Sequence, residues 1–404
     1  MSGPMSGGGL SRSGLDRLHR VMAGFVERGE VPGLVALVHR RGETHVTALG
    51  TLAVGGDVPM RRDALFRIAS LTKPITAAAT MILIEECRLR LDEPIDDLLP
   101  ELADRRVLRR VDGPLDDTVP AERSITVRDL LTFRLGIGMV FTPQGEPPIQ
   151  RALVEAGIER GPDGGPHGPD EWIKRLGALP LAYQPGTKWL YNTGSNVLGV
   201  LIARATGRPF DEFLRERIFA PLGMNDTGHH VPAGSFDRIA VPYYPDPRTG
   251  ALVRRPDPRD GAWDRPPAFP SGAGGPGLFA TADDYLAFCR MLLRKGHYDG
   301  GRILSRPAVE LMTTDHLTPE QKAGNEIFFG SGGWGFGLAV DARRDHVFTR
   351  PGRFGWNGGL GTTAYTDPAE DMVGILMTQR AMTSPQPPRV FGDFWTAAYA
   401  AIDD

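Results

Sequence analysis

Apolar positions divide this chain into strand-like ends and a helix-rich middle. Leu15, Leu18, Val21, Met22 and Phe25 recur at three- and four-residue intervals, which predicts an amphipathic helix over 15–28. The run Gly33 to His39 reads as a strand. Arg40 to Glu43 supplies a turn and Thr44 to Leu49 a second strand, so the pair is a hairpin. Ala64 to Ala69 then leads into Ser70. Behind Ser70, residues 75–84 are apolar nearly all round, broken only by Thr76 and Thr80, which predicts a buried helix.

Asp92-Glu93-Pro94 stops that helix, and an Arg/Asp-rich polar stretch follows to Glu122. The carboxylates Asp92, Glu93, Asp96 and Asp97 read as a solvated turn. A further helix opens at Ile125, with Thr126 placed as its N-cap and Asp129 in the capping-box position. The stretch 143–169 is loop-rich, interrupted by a short helix over 149–155, and another helix opens at Pro169. Helices are predicted over 195–206, closed by Gly207, over 210–219, closed by Pro221, and over 282–293. Between them, 231–276 is rich in Pro and Gly, with a hairpin turning at Pro245 to Gly250. Strands over 337–343, 361–366 and 372–378 and a last helix over 390–402 complete the chain. Strands at both ends and helices between predict an α+β architecture: one central sheet formed by both termini, flanked by helices, with a mostly helical lobe inserted.

Composition narrows the function mainly by exclusion. The net charge is −3 and no basic run occurs, so neither nucleic acid nor an anionic membrane is an implied partner. The longest apolar run is far too short to span a bilayer. Residues 1–14 lack a charged-then-apolar leader pattern and read as a disordered tail, and the protein is read as cytoplasmic. Cys87 and Cys289 sit in helix-like apolar segments and read as buried free thiols. The nine histidines show no metal spacing. His229-His230 reads as a solvated loop pair, and His167 lies in a Gly/Pro loop. The Gly-rich run Gly272 to Gly277 lacks a following lysine, so it is no phosphate cradle. No metal or organic cofactor is implied.

The chemistry gathers at Ser70-Leu71-Thr72-Lys73. A serine hydroxyl is a poor nucleophile at neutral pH and needs a base beside it. On a helix, positions three apart share a face, so Lys73 reaches the Ser70 hydroxyl. Burial and the positive end of the helix dipole disfavour the charged amine, and a neutral amine can take the serine proton. The chain has twelve serines and five lysines, so this known catalytic pattern is expected only ~0.15 times by chance. Pro74 disfavours the α conformation at Lys73, which is tolerable in a first turn. No Gly-x-Ser-x-Gly occurs, which argues against the nucleophile elbow of an α/β-hydrolase.

With Ser70 to Pro74, two further motifs carry a resemblance: Trp189-Leu190-Tyr191-Asn192-Thr193 and Trp356-Asn357-Gly358-Gly359. The segments around Thr126, Pro221-Leu222-Gly223-Met224 and Ser271 to Gly275 support it. Over roughly residues 15–400 the sequence resembles the serine β-lactamase and penicillin-recognising superfamily. Within it, the class C-like carboxylesterases of family VIII are the most similar group. The resemblance implies a β-lactamase-like fold, with 15–70 and 280–404 as the sheet domain and 71–279 as a helical, loop-rich lobe. The active site is then expected at the interface between them.

It also implies roles. Ser70 is the expected acylated nucleophile, Lys73 holds the proton relay, and Tyr191 is its general-base partner with Lys73 as the cation beside the phenol. The oxyanion is expected between the backbone N–H groups of Ser70 and Gly359. Gly358 and Gly359 are read as glycine because substrate approaches the backbone there. Two departures bear on substrate. Trp356-Asn357-Gly358 stands where β-lactamases carry Lys-Thr-Gly, so the cation for a substrate carboxylate is missing, and Thr193 stands where Asn or Ser is usual. Both favour neutral esters, with Trp356 and Asn357 lining an aromatic-walled pocket. The expectation is a cofactor-free serine hydrolase acting on short-acyl esters through an acyl-enzyme. A β-lactamase, a D-amino acid amidase or an acyltransferase on the same machinery stays open, as does a homo-oligomer. A catalytically idle binding homologue is the reading from another class, and intact Ser70, Lys73 and Tyr191 speak against it.

Overall fold

The computed structural model describes residues 7–140, 145–159, 167–254, 262–273 and 277–404. Its centre is a seven-stranded sheet. The strands are β1 (Gly33–Arg40), β2 (Glu43–Gly50), β3 (Gly333–Trp334), β4 (Ala339–Val340), β5 (Phe354–Gly358), β6 (Thr362–Asp367) and β7 (Met372–Thr378). Their spatial order is β3-β4-β5-β6-β7-β1-β2, and each neighbouring pair is antiparallel. The N-terminal hairpin therefore closes one edge of a sheet built mainly by the C-terminal segment, as the distribution of strands along the chain predicts.

Every residue of β1 is buried, because both faces of the sheet are covered. The two-residue period of a strand sorts the side chains between two cores. Leu34, Ala36 and Val38 pack with α1 (Arg12–Glu27) and the C-terminal helix (Arg389–Tyr399). Val35 and Leu37 face the other way, into the main core with α2 (Thr72–Glu85). That core continues through Val197 and Leu201 of the Thr193–Thr206 helix to Trp172 of the Pro169–Gly177 helix, so sheet and lobe share one apolar interior. Helix α2 is its axis, buried from Thr72 through Leu83 as its all-round apolar sequence dictates.

Local signals in the lobe produce what their chemistry predicts. Thr126 and Asp129 cap the Val127–Leu131 helix reciprocally, each side chain paired with the other's backbone N–H at 3.2 and 3.0 Å. Gly207 ends the Thr193–Thr206 helix with φ 68°, a left-handed turn that suits glycine. The hairpin at Pro245 to Gly250 forms, with Tyr244–Pro245 pairing Leu252–Val253.

Several expectations are corrected. From Gly8 on, the expected tail is packed: Leu10 is fully buried, Ser11 N–H donates to the Ala401 carbonyl at 2.8 Å, and Ser11 caps α1 at its true start. The buried Arg40 ties both termini to the sheet, donating to the carbonyl of Gly8 at 2.9 Å and pairing with Asp404 at 2.9 Å and Glu370 at 3.2 Å. Residues 1–6 lie outside the described residues. Cys87 is exposed, in the turn that follows α2, whereas Cys289 is buried; both thiols are free. His229 is buried rather than solvated, its ring Nε2 3.3 Å from the Ser271 carbonyl. The helix expected to close at Pro221 runs through it to Leu222, by way of a wider turn over Arg215–Phe219. Among the described residues, no helix is long and apolar enough to cross a membrane.

Candidate active site

Ser70 sits on a 3₁₀ turn (Ala69–Leu71) that runs straight into α2. Lys73, three residues on in the first turn of α2, shares a face with Ser70, and its Nζ lies 2.8 Å from Ser70 Oγ. Ala69 has φ 47°, a left-handed conformation costly for a residue with a Cβ, so strain sits one residue before the hydroxyl. The turn is held from several sides. Ile68 N–H donates to the Leu278 carbonyl at 2.9 Å, Thr362 Oγ1 to the Ile68 carbonyl at 3.1 Å, and the Tyr285 hydroxyl to the Leu71 carbonyl at 3.0 Å.

Lys73 is fully buried. Desolvation holds its amine well below the ordinary lysine pKa, with the Glu159 charge opposing. The amine also donates to the carbonyl of Ala273. That carbonyl is itself positioned: Asn196 Oδ1 accepts from Ala273 N–H at 3.2 Å and from the Ser271 hydroxyl at 2.7 Å. Thr76, one turn along from Lys73, donates to the neighbouring Gly272 carbonyl at 2.8 Å.

Tyr191 comes from the lobe, on an extended segment ahead of the Thr193–Thr206 helix. Three backbone bonds fix the segment: Trp189 N–H to Gln321 at 3.0 Å, Leu190 N–H to Phe133 at 2.8 Å, and Met139 N–H to the Tyr191 carbonyl at 3.0 Å. The Tyr191 hydroxyl donates to Ser70 Oγ at 2.9 Å and accepts from Trp356 Nε1–H at 2.9 Å. Lys73 Nζ stands over the face of the same ring, 4.5 Å from its centroid. Burial pushes the phenol pKa up to about 12, partly countered by the hydrogen bonds to Ser70 and Trp356.

The third motif reaches the site from the sheet. Trp356 is the central residue of β5, and Gly359 follows in the turn. Trp356, Asn357 and Gly359 line a 770 Å³ cavity into which Ser70 opens, walled near the hydroxyl by Tyr191, Met139, Phe328 and Phe329. Asp341, Asp345, His346 and Thr349 also line it, and no lysine or arginine is among its described lining residues. Gly358 does not line it. A Cβ there would stand 2.4 Å from the Ile68 carbonyl and 2.1 Å from Thr362 Oγ1, so the nucleophile turn, not an approaching substrate, requires that glycine. A Cβ on Gly359 would meet nothing within 4 Å and faces open space.

Residues 18–390 match the family model described as Beta-lactamase. The chain belongs to the beta-lactamase family. It is 40% identical over 364 residues to Protein Rv1367c of Mycobacterium tuberculosis, covering 87% of each chain. It is 30% identical over 386 residues to Esterase EstB of Burkholderia gladioli, covering 90% of each. Among solved structures, it superposes on EstCE1, a hydrolase with promiscuous acyltransferase activity, with a TM-score of 0.80 at 24% identity, covering 96% of this chain and 99% of that one. That likeness bears on the fold.

In this beta-lactamase-family chain, residues from three distant segments meet at one hydroxyl, and sequence reasoning named all three. It missed two residues behind them. Asn196, within the helix after Tyr191, organises the carbonyl that holds Lys73, and its position three residues after Thr193 gave no cue of its own. Glu159 is a buried carboxylate between a short helix and a Gly/Pro loop, a setting that reads as solvated from sequence. Its oxygens accept from Thr193 Oγ1 at 2.6 Å and from Asn192 Nδ2 at 3.3 Å. Burial raises its pKa.

Proposed function

We propose that this protein is a serine hydrolase that cleaves neutral, short-acyl carboxylic esters through a covalent intermediate on Ser70. One observation carries the reading: Ser70 Oγ is bonded at once to Lys73 Nζ, 2.8 Å away, and to the Tyr191 hydroxyl, 2.9 Å away, at the wall of a cavity. Lys73, its ammonium destabilised by burial, is the base. It takes the Ser70 proton as Oγ bonds to the acyl carbon, and the Ser70 and Gly359 N–H groups receive the oxyanion. Tyr191, with its phenol near 12, is better suited to giving a proton than to standing ionised. Collapse of the intermediate expels the alcohol oxygen, which takes the Tyr191 proton, and the Lys73 ammonium over the ring returns one to the phenolate. Water then repeats the cycle in reverse sense: Lys73 takes its proton, and Tyr191 protonates Ser70 Oγ as it leaves. Base to Lys73 and acid to Tyr191 shifts the balance from a tyrosine general base.

Incubation with p-nitrophenyl butyrate is expected to give a burst of p-nitrophenol and a butyryl adduct on Ser70 in the mass spectrum. Both are lost in Ser70→Ala. Lys73→Ala and Tyr191→Phe are each expected to lower turnover by about 10² or more. A burst that survives in Ser70→Ala refutes the reading. A second reading, transfer of the acyl group to an alcohol, is favoured by a cavity of 770 Å³, more room than a short acyl group fills. Ester product accumulating at the expense of free acid when a primary alcohol is added would select it.

A further inference from the structure

Behind the reacting trio lies one buried acid to which no role has been given. Glu159 is 5% exposed, and both of its carboxylate oxygens are used. One accepts the Thr193 hydroxyl and the other the Asn192 amide, the two residues that directly follow Tyr191. Asn192 needs such an anchor. Its φ of 93° is far into the region that residues with a Cβ avoid, and it is the half-turn that swings the chain from the Tyr191 segment into the next helix. Released, the turn would relax toward ordinary backbone geometry and carry the phenol with it.

We propose that Glu159 is a positioning residue of the active site: its carboxylate clamps the strained Asn192–Thr193 turn, sets the Tyr191 hydroxyl on Ser70, and places a negative charge beside the proton relay. The proposal rests on the reading of Ser70, Lys73 and Tyr191 as the reacting groups. The charge acts on both members of the relay, since Glu159 favours the protonated forms of Lys73 and of Tyr191. Among the described residues, Thr193, Asn192 and Lys73 bear on Glu159, and Glu159 in turn bears on Tyr191. A carboxylate here thus offsets part of the burial that neutralises Lys73, keeping the base closer to working pH than burial alone would leave it.

The test uses the full-length protein and p-nitrophenyl butyrate, with Glu159→Gln and Glu159→Ala. Glu159→Gln keeps the shape and an acceptor for Thr193 but removes the charge. Its acid limb of kcat/KM against pH is expected about half to one pH unit below that of the wild type, because an uncharged neighbour no longer supports the ammonium. Glu159→Ala frees the turn and is expected to lower kcat about tenfold or more while KM changes less than about twofold. A Glu159→Gln profile that superimposes on the wild type overturns the proposal, as does full kcat in Glu159→Ala. The isosteric variant keeps the test available should Glu159→Ala fail to fold. Labelling of Ser70 is scored separately: normal acylation in the wild type with indifferent Glu159 variants sinks this proposal alone, whereas no acylation at all sinks the reading beneath it.

Discussion

The indole Nε1–H of Trp356 points at the phenol oxygen of Tyr191 from 2.9 Å, so the third motif donates a hydrogen bond into the second. The aromatic wall and the proton relay are therefore one arrangement. This hydrogen bond lowers the Tyr191 pKa against the effect of burial, and in the proposed mechanism the indole would support the phenolate left when Tyr191 gives its proton away. Trp356→Phe keeps an aromatic wall and removes the donor, together with part of the buried indole's volume. A hydrogen bond to a group that becomes charged is worth about 1.5–3 kcal/mol, so kcat is expected to fall roughly 10- to 100-fold. Steady-state kinetics at several pH values would check this, and a wild-type kcat would reduce Trp356 to a lining residue.

The two glycines that end the third motif separate packing from access. Gly358→Ala drives a Cβ against the Ile68 carbonyl and Thr362, within the turn that presents Ser70. It is expected to destabilise the fold by about 1–3 kcal/mol and to impair acylation along with it. Gly359→Ala meets nothing in the protein, so stability should stay within about 0.5 kcal/mol. Its methyl group enters the cavity beside the proposed oxyanion position, and kcat/KM should drop. Thermal melts paired with burst kinetics decide the matter. Equal stability losses in the two variants would mean the contrast drawn here is wrong.

How much of this was legible beforehand depended on whether a residue's neighbours in sequence were also its neighbours in space. Ser70 and Lys73 share a turn, Thr126 and Asp129 share a cap, and β7 is apolar from Met372 to Met377 apart from Gly374, so each was readable from local spacing. Strand β5 was not. Gly355 and Gly358 interrupt its pattern, and their reason lies across the sheet, where a Cβ at Gly355 would strike the Ala364 carbonyl at 2.1 Å. The strand expected over 337–343 shrinks to Ala339–Val340, because Gly337 adopts φ 69° against the Lys73 carbonyl and Asp341 turns to pair with Arg353 at 2.9 Å. The packed residues before α1 were hidden for a similar reason: Arg40 and the C-terminus hold them, and neither is near in sequence. Trp356 and Tyr191 were named through motifs, while the hydrogen bond between them spans 165 residues.

The cavity's charge makes a prediction about substrate. Asp341 and Asp345 line it, and no described lysine or arginine does. With Asp341 paired to Arg353, a substrate carboxylate meets Asp345 and no described lining cation, where β-lactamases offer one. Among p-nitrophenyl esters matched in length, a neutral acyl group is expected to be cleaved with a kcat/KM at least about tenfold above that of one ending in a carboxylate. The gap should narrow as salt is raised. Nitrocefin, which carries a carboxylate, should turn over more slowly than the neutral ester. Equal turnover of the charged and neutral esters would show that the missing cation does not govern selection.

Lys73 sets function against stability in a way that pH can expose. Desolvation depresses its folded pKa well below the ordinary 10.5. Between that depressed value and 10.5 the unfolded chain binds the extra proton, so folding must release it, and stability rises with pH across that window. Each unit of depression costs about 1.4 kcal/mol at a pH below both values, and the cost shrinks as pH climbs toward 10.5. Lys73→Met removes the titrating group and keeps most of the buried volume, while forfeiting hydrogen bonds to Ser70 and Ala273 worth about 1 kcal/mol each. The variant is expected to be more stable than the wild type at pH 7, with the advantage fading as pH rises. Esterase turnover should fall by about 10² or more in the same variant. Urea titrations at pH 7 and near pH 10 would read the difference. A stability difference between Lys73→Met and wild type that is indifferent to pH would mean that Lys73 keeps its proton in the folded state, and the neutral base at Ser70 would be lost with it.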